Sequence, residues 1–138
     1  PHTEVADFCD IMFFRSSREN ARGYIQKLKE YEPSLVVGID FLFWFGYGSV
    51  PNEMPAEKYR TERLDFALGL LDELQVQLVI GDIPDVRDAV GKMLSPNQVP
   101  SEELLNALNI RIHAWASEKE DVLVLPVHKY WKKISFLF

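Results

Sequence analysis

Asp40 interrupts an apolar run, Val36-Val37-Gly38-Ile39-Asp40-Phe41-Leu42-Phe43-Trp44. A carboxylate in such surroundings needs hydrogen-bond donors or a cation, or its proton affinity rises. It is therefore either a functional acid or a structural acceptor for backbone N–H groups of the following loop. Asp82, in Ile80-Gly81-Asp82-Ile83-Pro84-Asp85, stands in the equivalent place after the next apolar run, as a substrate-binding candidate or as the start of a turn with Pro84. His128 follows the last apolar run and is the histidine best placed for proton transfer. Ser16 and Ser17 lie in Phe14-Arg15-Ser16-Ser17-Arg18-Glu19-Asn20, a turn whose backbone donors suit an oxyanion, although helix capping accounts for both hydroxyls. Phe43-Trp44-Phe45 and Gly46-Tyr47-Gly48 can wall an apolar acyl or sugar pocket, with Trp44 and Tyr47 as the contact residues. Core packing accounts equally for Phe43 and Phe45, and the glycines mark backbone that turns sharply or approaches something closely.

The elements that must position these residues follow from apolar spacing. Four short runs, Asp10–Phe14, Leu35–Phe43, Val76–Ile80 and Val122–Val127, lack clean alternation, as strands do when both sheet faces are covered. Between them the spacing predicts helices over 17–31, 56–74 and 101–118, and a shorter one over Asp85–Leu94. Ser16-x-x-Glu19 reads as a capping box, with Ala21, Tyr24, Ile25 and Leu28 on one stripe. Ser101 reads as the N-cap of the third helix, with Glu102 and Glu103 favourable to its dipole. Alternation of strand and helix predicts right-handed crossovers and a parallel sheet. The connections entering strands are short, whereas those leaving the second and third, Phe45 to Pro55 and Asp82 to Pro100, are long. Both long loops then fall on one sheet edge, where open α/β folds build their sites.

Composition narrows the function classes. With 138 residues, 47% hydrophobic and 26% charged, the chain has room for one ordered domain. A net charge of -6 opposes nucleic-acid binding, and Lys27/Lys29 and Lys129/Lys132/Lys133 read as solvated ends of elements. Cys9, the single cysteine, excludes an intrachain disulfide and a cysteine-rich zinc site. No apolar run approaches the ~20 residues of a membrane span.

Taken in order, the segments resemble the middle of the SGNH (GDSL-type) hydrolase family. Tyr31-Glu32-Pro33-Ser34-Leu35-Val36-Val37-Gly38-Ile39-Asp40 is similar to that family's passage from helix to strand, and Leu78-Val79-Ile80-Gly81-Asp82-Ile83-Pro84 to its strand ending in a Pro-containing loop. Leu105-Asn106-Ala107-Leu108-Asn109 through Ala114-Trp115-Ala116 is similar to its Asn-bearing helix, and Asp121-Val122-Leu123-Val124-Leu125-Pro126 to its last strand. The resemblance implies a flavodoxin-like three-layer α/β/α sandwich with a mainly parallel sheet, and a Ser-His-Asp esterase or acyl hydrolase acting on a small-molecule ester or acylated substrate. It implies no cofactor and no metal. Asp40, Ser17 and His128 become the catalytic candidates, with Trp44, Tyr47 and Asp82 around the substrate.

The departures from the family pattern are specific. No Gly-Asp-Ser occurs, no Asp-x-x-His follows the last strand, and the Arg15–Asn20 turn lacks the family's glycine. Asp40 stands where the family has an oxyanion-binding Asn, and an ionised carboxylate there repels an oxyanion. The chain thus reads as an incomplete, internal piece of that domain, inactive by itself. A sheet ordered 2-1-3-4-5 implies a further strand between Asp10–Phe14 and Leu35–Phe43. Its absence leaves unpaired strands through which copies can self-associate. Two other readings are a non-catalytic binding or assembly domain of the same fold, and a Mg-dependent phosphoryl-transfer fold using Asp40 and Asp82.

Overall fold

A computed structural model describes residues 4–10 and 12–135. Its first helix, α1 (Ser17–Tyr31), buries Ala21 and Ile25 and packs Tyr24 and Leu28 against the core. It stops at Glu32, which takes a left-handed conformation (φ 53°) and donates its N–H to Leu28 O; Pro33 then bars a further turn. Strand β1 (Leu35–Gly38) leads to a one-turn helix, α2 (Phe43–Gly46). After Pro55, α3 (Ala56–Leu71) buries Leu64, Ala67, Leu68 and Leu71. Strand β2 (Gln77–Gly81) is followed by a loop with 3-10 turns at Arg87–Ala89 and Pro96–Gln98. Helix α4 (Glu102–Ser117) begins as its sequence requires, the Ser101 hydroxyl accepting from Leu104 N at 3.2 Å with Glu102 and Glu103 in the first turn. Strand β3 (Val122–Leu125) and α5 (Val127–Ser135) complete the described chain.

The three strands form a parallel sheet in the order β1-β2-β3, with Val36 beside Leu78 and Leu78 beside Val122. Flanked by helices, it is an open α/β sandwich, the fold class the sequence predicts. The core forms where Val36, Leu78, Ile80, Val122 and Val124 meet the apolar stripes of α1, α3 and α4.

The sequence reading needs four corrections. Asp10–Phe14 is not a strand: the Asp10 carboxylate accepts from Met12 N at 2.8 Å and its carbonyl from Phe13 N at 3.1 Å, which curls the chain into a 3-10 turn, Phe13–Ser16 (Ile11 lies outside the described residues). Only Phe13 of that turn enters the core; Phe14 is exposed against Trp44. Ser16 makes no side-chain capping bond, because the 3-10 turn already runs into α1. The run Leu35–Phe43 leaves the sheet at Gly38, whose carbonyl accepts from Phe41 N; its aromatics reach the core through a turn and α2 instead. Asp85–Leu94 holds a 3-10 turn and a Val90–Leu94 bridge rather than a helix, with Gly91 at φ 81°.

Candidate functional site

The carboxyl ends of β1, β2 and β3 bring Asp40, Asp82 and His128 to one edge of the sheet, together with both long loops. The loops are stitched to each other. Tyr47 Oη donates to Pro84 O at 2.8 Å and accepts from Val86 N at 3.1 Å. Gly48 N donates to Gln98 O at 2.9 Å. Arg60 of α3, 1% exposed, reaches both loops at once, donating Nη1 to Gly46 O (2.6 Å) and Nη2 to Asn97 O (3.1 Å). No carboxylate partners this guanidinium among the described residues, and burial pulls its pKa below the usual arginine value. Burial likewise raises the Tyr47 hydroxyl, held off the solvent by the loop it bonds.

The two glycines flanking Tyr47 meet the two needs their sequence suggested. A Cβ on Gly46 would lie 2.7 Å from Ile83 Cδ1, so the loops close this tightly only around glycine. Gly48 has φ 107°, a conformation that side-chain-bearing residues rarely adopt.

Asp82 is 5% exposed, and both its oxygens are engaged. Oδ1 accepts from His128 N at 2.7 Å, and Oδ2 lies 2.9 Å from His113 Nε2. The carboxylate thereby fastens the end of β2 to α4 and to the start of α5. Asn109 completes the arrangement one residue on: its Oδ1 accepts from Ile83 N and its Nδ2 donates to Ile83 O, both at 2.8 Å. Asp85 pairs with Arg87, whose hydrogen bonds hold the Asp85 carboxyl below the usual carboxylate range. His128 is half-buried, its Nδ1 sealed from solvent with no hydrogen-bond partner.

Asp40 is set apart from this cluster. Exposed in the turn after β1, it shares with Trp44, Phe41 and Phe13 a groove of about 1040 Å³ beside β1. Residues Glu4–Asp10 form the groove's other wall. Among the described residues no backbone hydrogen bond joins that segment to β1. Ser17, 4% exposed, lies outside both groups: its Oγ accepts from Arg63 Nη2 at 2.5 Å, and Arg63 also donates to Trp44 O. Among the described residues no histidine or carboxylate hydrogen-bonds Ser17, whose Oγ is paired with a guanidinium rather than with a base.

The structure therefore unites Asp40 with Trp44, and Asp82 with the backbone of His128 and the neighbourhood of Tyr47; Ser17 joins neither. The sequence reading missed His113, Asn109 and Arg60 as binding partners. For His113 and Asn109 a signal existed, since both lie on the α4 flank beside buried Leu108 and Ile112. Nothing in the sequence marked Arg60. Among the described residues no group of three or more His, Cys, Asp or Glu converges as a metal site, and no helix is long and apolar enough to cross a membrane.

Comparisons with protein-family models, with curated proteins and with solved structures return no match. Fold and site together define an open parallel α/β domain whose strand-end loops are locked to one another through Tyr47 and Arg60, with a buried Asp82 fastening the end of β2 to α4 and α5.

Proposed function

We propose that this chain is the strand-end part of an SGNH-like acyl hydrolase, in which a Ser and a His outside these 138 residues act on an ester or acylated small molecule. The observation that carries the reading is the groove between β1 and Glu4–Asp10, which runs along an unpaired strand edge and ends at Asp40 and Trp44. Parallel strands stand about 4.8 Å apart, and a segment that flanks β1 without bonding it leaves the place of one strand. The SGNH resemblance puts the nucleophile on a strand in that place. Its serine would then emerge beside Asp40 and Trp44, where Trp44 forms an apolar wall for the acyl group. Asp40 occupies the oxyanion-binding position and assists there only in its protonated form, as a donor. Asp82 serves the site indirectly, by fixing His128 N and the loop that carries Tyr47's partners.

The test uses short-chain nitrophenyl esters and a fluorophosphonate probe on two proteins, the 138-residue chain and the polypeptide as its gene encodes it. Turnover and covalent labelling are expected from the second alone, at a serine outside this chain. Labelling of the isolated chain that Ser17→Ala or Ser16→Ala abolishes refutes the proposal, as does a gene product inert to both reagents.

A further inference from the structure

The arginines fall into two groups by their partners. Arg87 and Arg111 each grip a carboxylate with both Nε and Nη2, that of Asp85 and that of Asp65. Arg15, Arg18, Arg22 and Arg63 form no ion pair among the described residues. Acids are not scarce, since the chain has 21 Asp and Glu against 15 Lys and Arg. Glu19, next to Arg18 in the sequence, pairs with neither Arg18 nor Arg22, and Glu62, next to Arg63, pairs with Lys58.

These unpaired cations gather where α1 packs on α3. Arg18 and Arg22, four residues apart on one face of α1, both lie over the half-buried ring of Phe66, at 4.3 Å and 5.0 Å from its centre. Arg63, one turn before Phe66 on α3, lies 5.5 Å from the Phe45 ring and 5.4 Å from the Tyr59 ring, pinned by its bonds to Ser17 Oγ and Trp44 O. The Phe45 and Phe66 rings are 6.3 Å apart, so the two sets adjoin. Arg15 stands exposed in the 3-10 turn that runs into α1. Like charges four residues apart on a helix oppose each other, and here one aromatic ring holds two of them together. A guanidinium stacked by its face keeps its N–H fork at the rim, shaped for an oxyanion. Arg18 and Arg22 donate to no acceptor among the described residues.

The size and surroundings of the patch select its occupant. It lies outside the groove beside β1, and an exposed helix face does not enclose a small molecule. Glu19 and Glu62, both exposed, border it. A long polyanion, or the plane of an anionic membrane, meets those carboxylates and the rest of a chain of net charge -6 as well. A short acidic segment meets the arginines alone.

We infer that the α1–α3 face docks a short acidic segment of a partner protein, whose carboxylates take the forks of Arg18 and Arg22 while Arg15 and Arg63 add to the attraction. The inference does not rest on the hydrolase reading, since none of it uses the strand-end site.

Calorimetric titration of the polypeptide as its gene encodes it, with a short peptide of alternating Glu and Ala, tests it. A Lys-for-Glu peptide, a short single-stranded oligonucleotide and phosphatidylserine vesicles are titrated alongside, and amide exchange locates the contact. The expected result is binding of the Glu peptide that protects residues 15–22 and 59–66 and weakens with salt. Arg18→Gln with Arg22→Gln is expected to weaken it at least about tenfold, and Arg111→Gln to leave it unchanged. Arg18→Lys with Arg22→Lys keeps the charge and loses the forks, so an intermediate loss is expected, and this pair carries the test should the Gln pair fail to fold. No binding of the Glu peptide, binding that both double variants retain, or protection elsewhere overturns the inference. Tighter binding of the oligonucleotide or the vesicles overturns it too, as does a dimer on sedimentation that the Gln pair dissolves, which makes a second copy the occupant.

Discussion

Replacing Asn109 tests whether the loop after β2 is held by one amide. Asn109 is 7% exposed and Ile83 0%, so the two groups that Asn109 satisfies, Ile83 N–H and C=O, cannot turn to water when it is removed. Asn109→Leu preserves size and helix propensity but strands both. At about 1–3 kcal/mol for each unsatisfied buried group, less about 1 kcal/mol returned by the added apolar burial, the expected loss is about 3 kcal/mol. A domain of this size has a urea dependence of about 1.5 kcal/mol per M, so the midpoint of two-state unfolding, followed by tryptophan fluorescence, is expected to fall by about 2 M. Asn109→Asp sharpens the test. Its neutral carboxyl can accept from Ile83 N and donate to Ile83 O, whereas its ionised form turns a second oxygen toward that carbonyl. The neutral form is favoured by folding, so the folded pKa lies above the unfolded value of about 3.9. The stabilisation is then fully present below that value and lost as pH rises through the folded pKa. Relative to wild type at the same pH, Asn109→Asp is expected to be nearly as stable at pH 4 and markedly less so at pH 7. A midpoint unmoved by Asn109→Leu, or an equal Asn109→Asp deficit at both pH values, would refute the reasoning.

Tyr47→Phe removes the hydroxyl that serves Pro84 O and Val86 N; a loss of about 1–2 kcal/mol is expected, with faster amide exchange at Val86 and little change in the sheet. Arg60→Lys keeps the charge but lacks the fork that spans Gly46 O and Asn97 O, so limited proteolysis should cut the 45–55 and 82–100 loops sooner, with a stability loss of about 1–3 kcal/mol. The Asp85 carboxyl is depressed by Arg87, so its contribution is present above the ordinary value of 3.8 and lost as pH falls through the lower folded value. Because the Arg87 side chain is 40% exposed, Asp85→Asn should change the acid limb of stability by less than about 1 kcal/mol, measured by urea titration between pH 2 and 6.

The apolar runs at Leu35–Gly38, Gln77–Gly81 and Val122–Leu125 were legible because each is entered by a short turn and separated from the next by a long helical stripe that leaves parallel crossovers as the natural topology. Helix ends were legible where a side chain or proline enforces them, as at Ser101 and Pro33. Asp10–Phe14 and Phe41–Phe45 were not. A short apolar run buries aromatics equally well as a strand or as a tight turn, and one carboxylate at Asp10 decided the first case. At the site, the position of Asp40, Asp82 and His128 on one edge follows from strand order alone. Their separation into an exposed acid and a buried fastener depends on α4, whose His113 and Asn109 meet β2 only after the crossover has closed. The burial of Arg60 is of the same kind, since two loop carbonyls distant in sequence create its partners.

The all-parallel ladder also sets the order in which the chain can fold. Leu35 pairs with Gln77 and Leu78 with Val122, so each strand contact closes a loop of roughly 40 residues before it returns any stabilisation. No hairpin exists among the described strands to nucleate the sheet locally. With every strand pairing non-local, folding is expected to belong to the slower class, a rate that stopped-flow refolding measures. Until those pairings form, Val37, Ile39 and Leu123 stand exposed beside unpaired backbone, which makes low protein concentration, rather than a longer refolding time, the condition that favours recovery of the monomer.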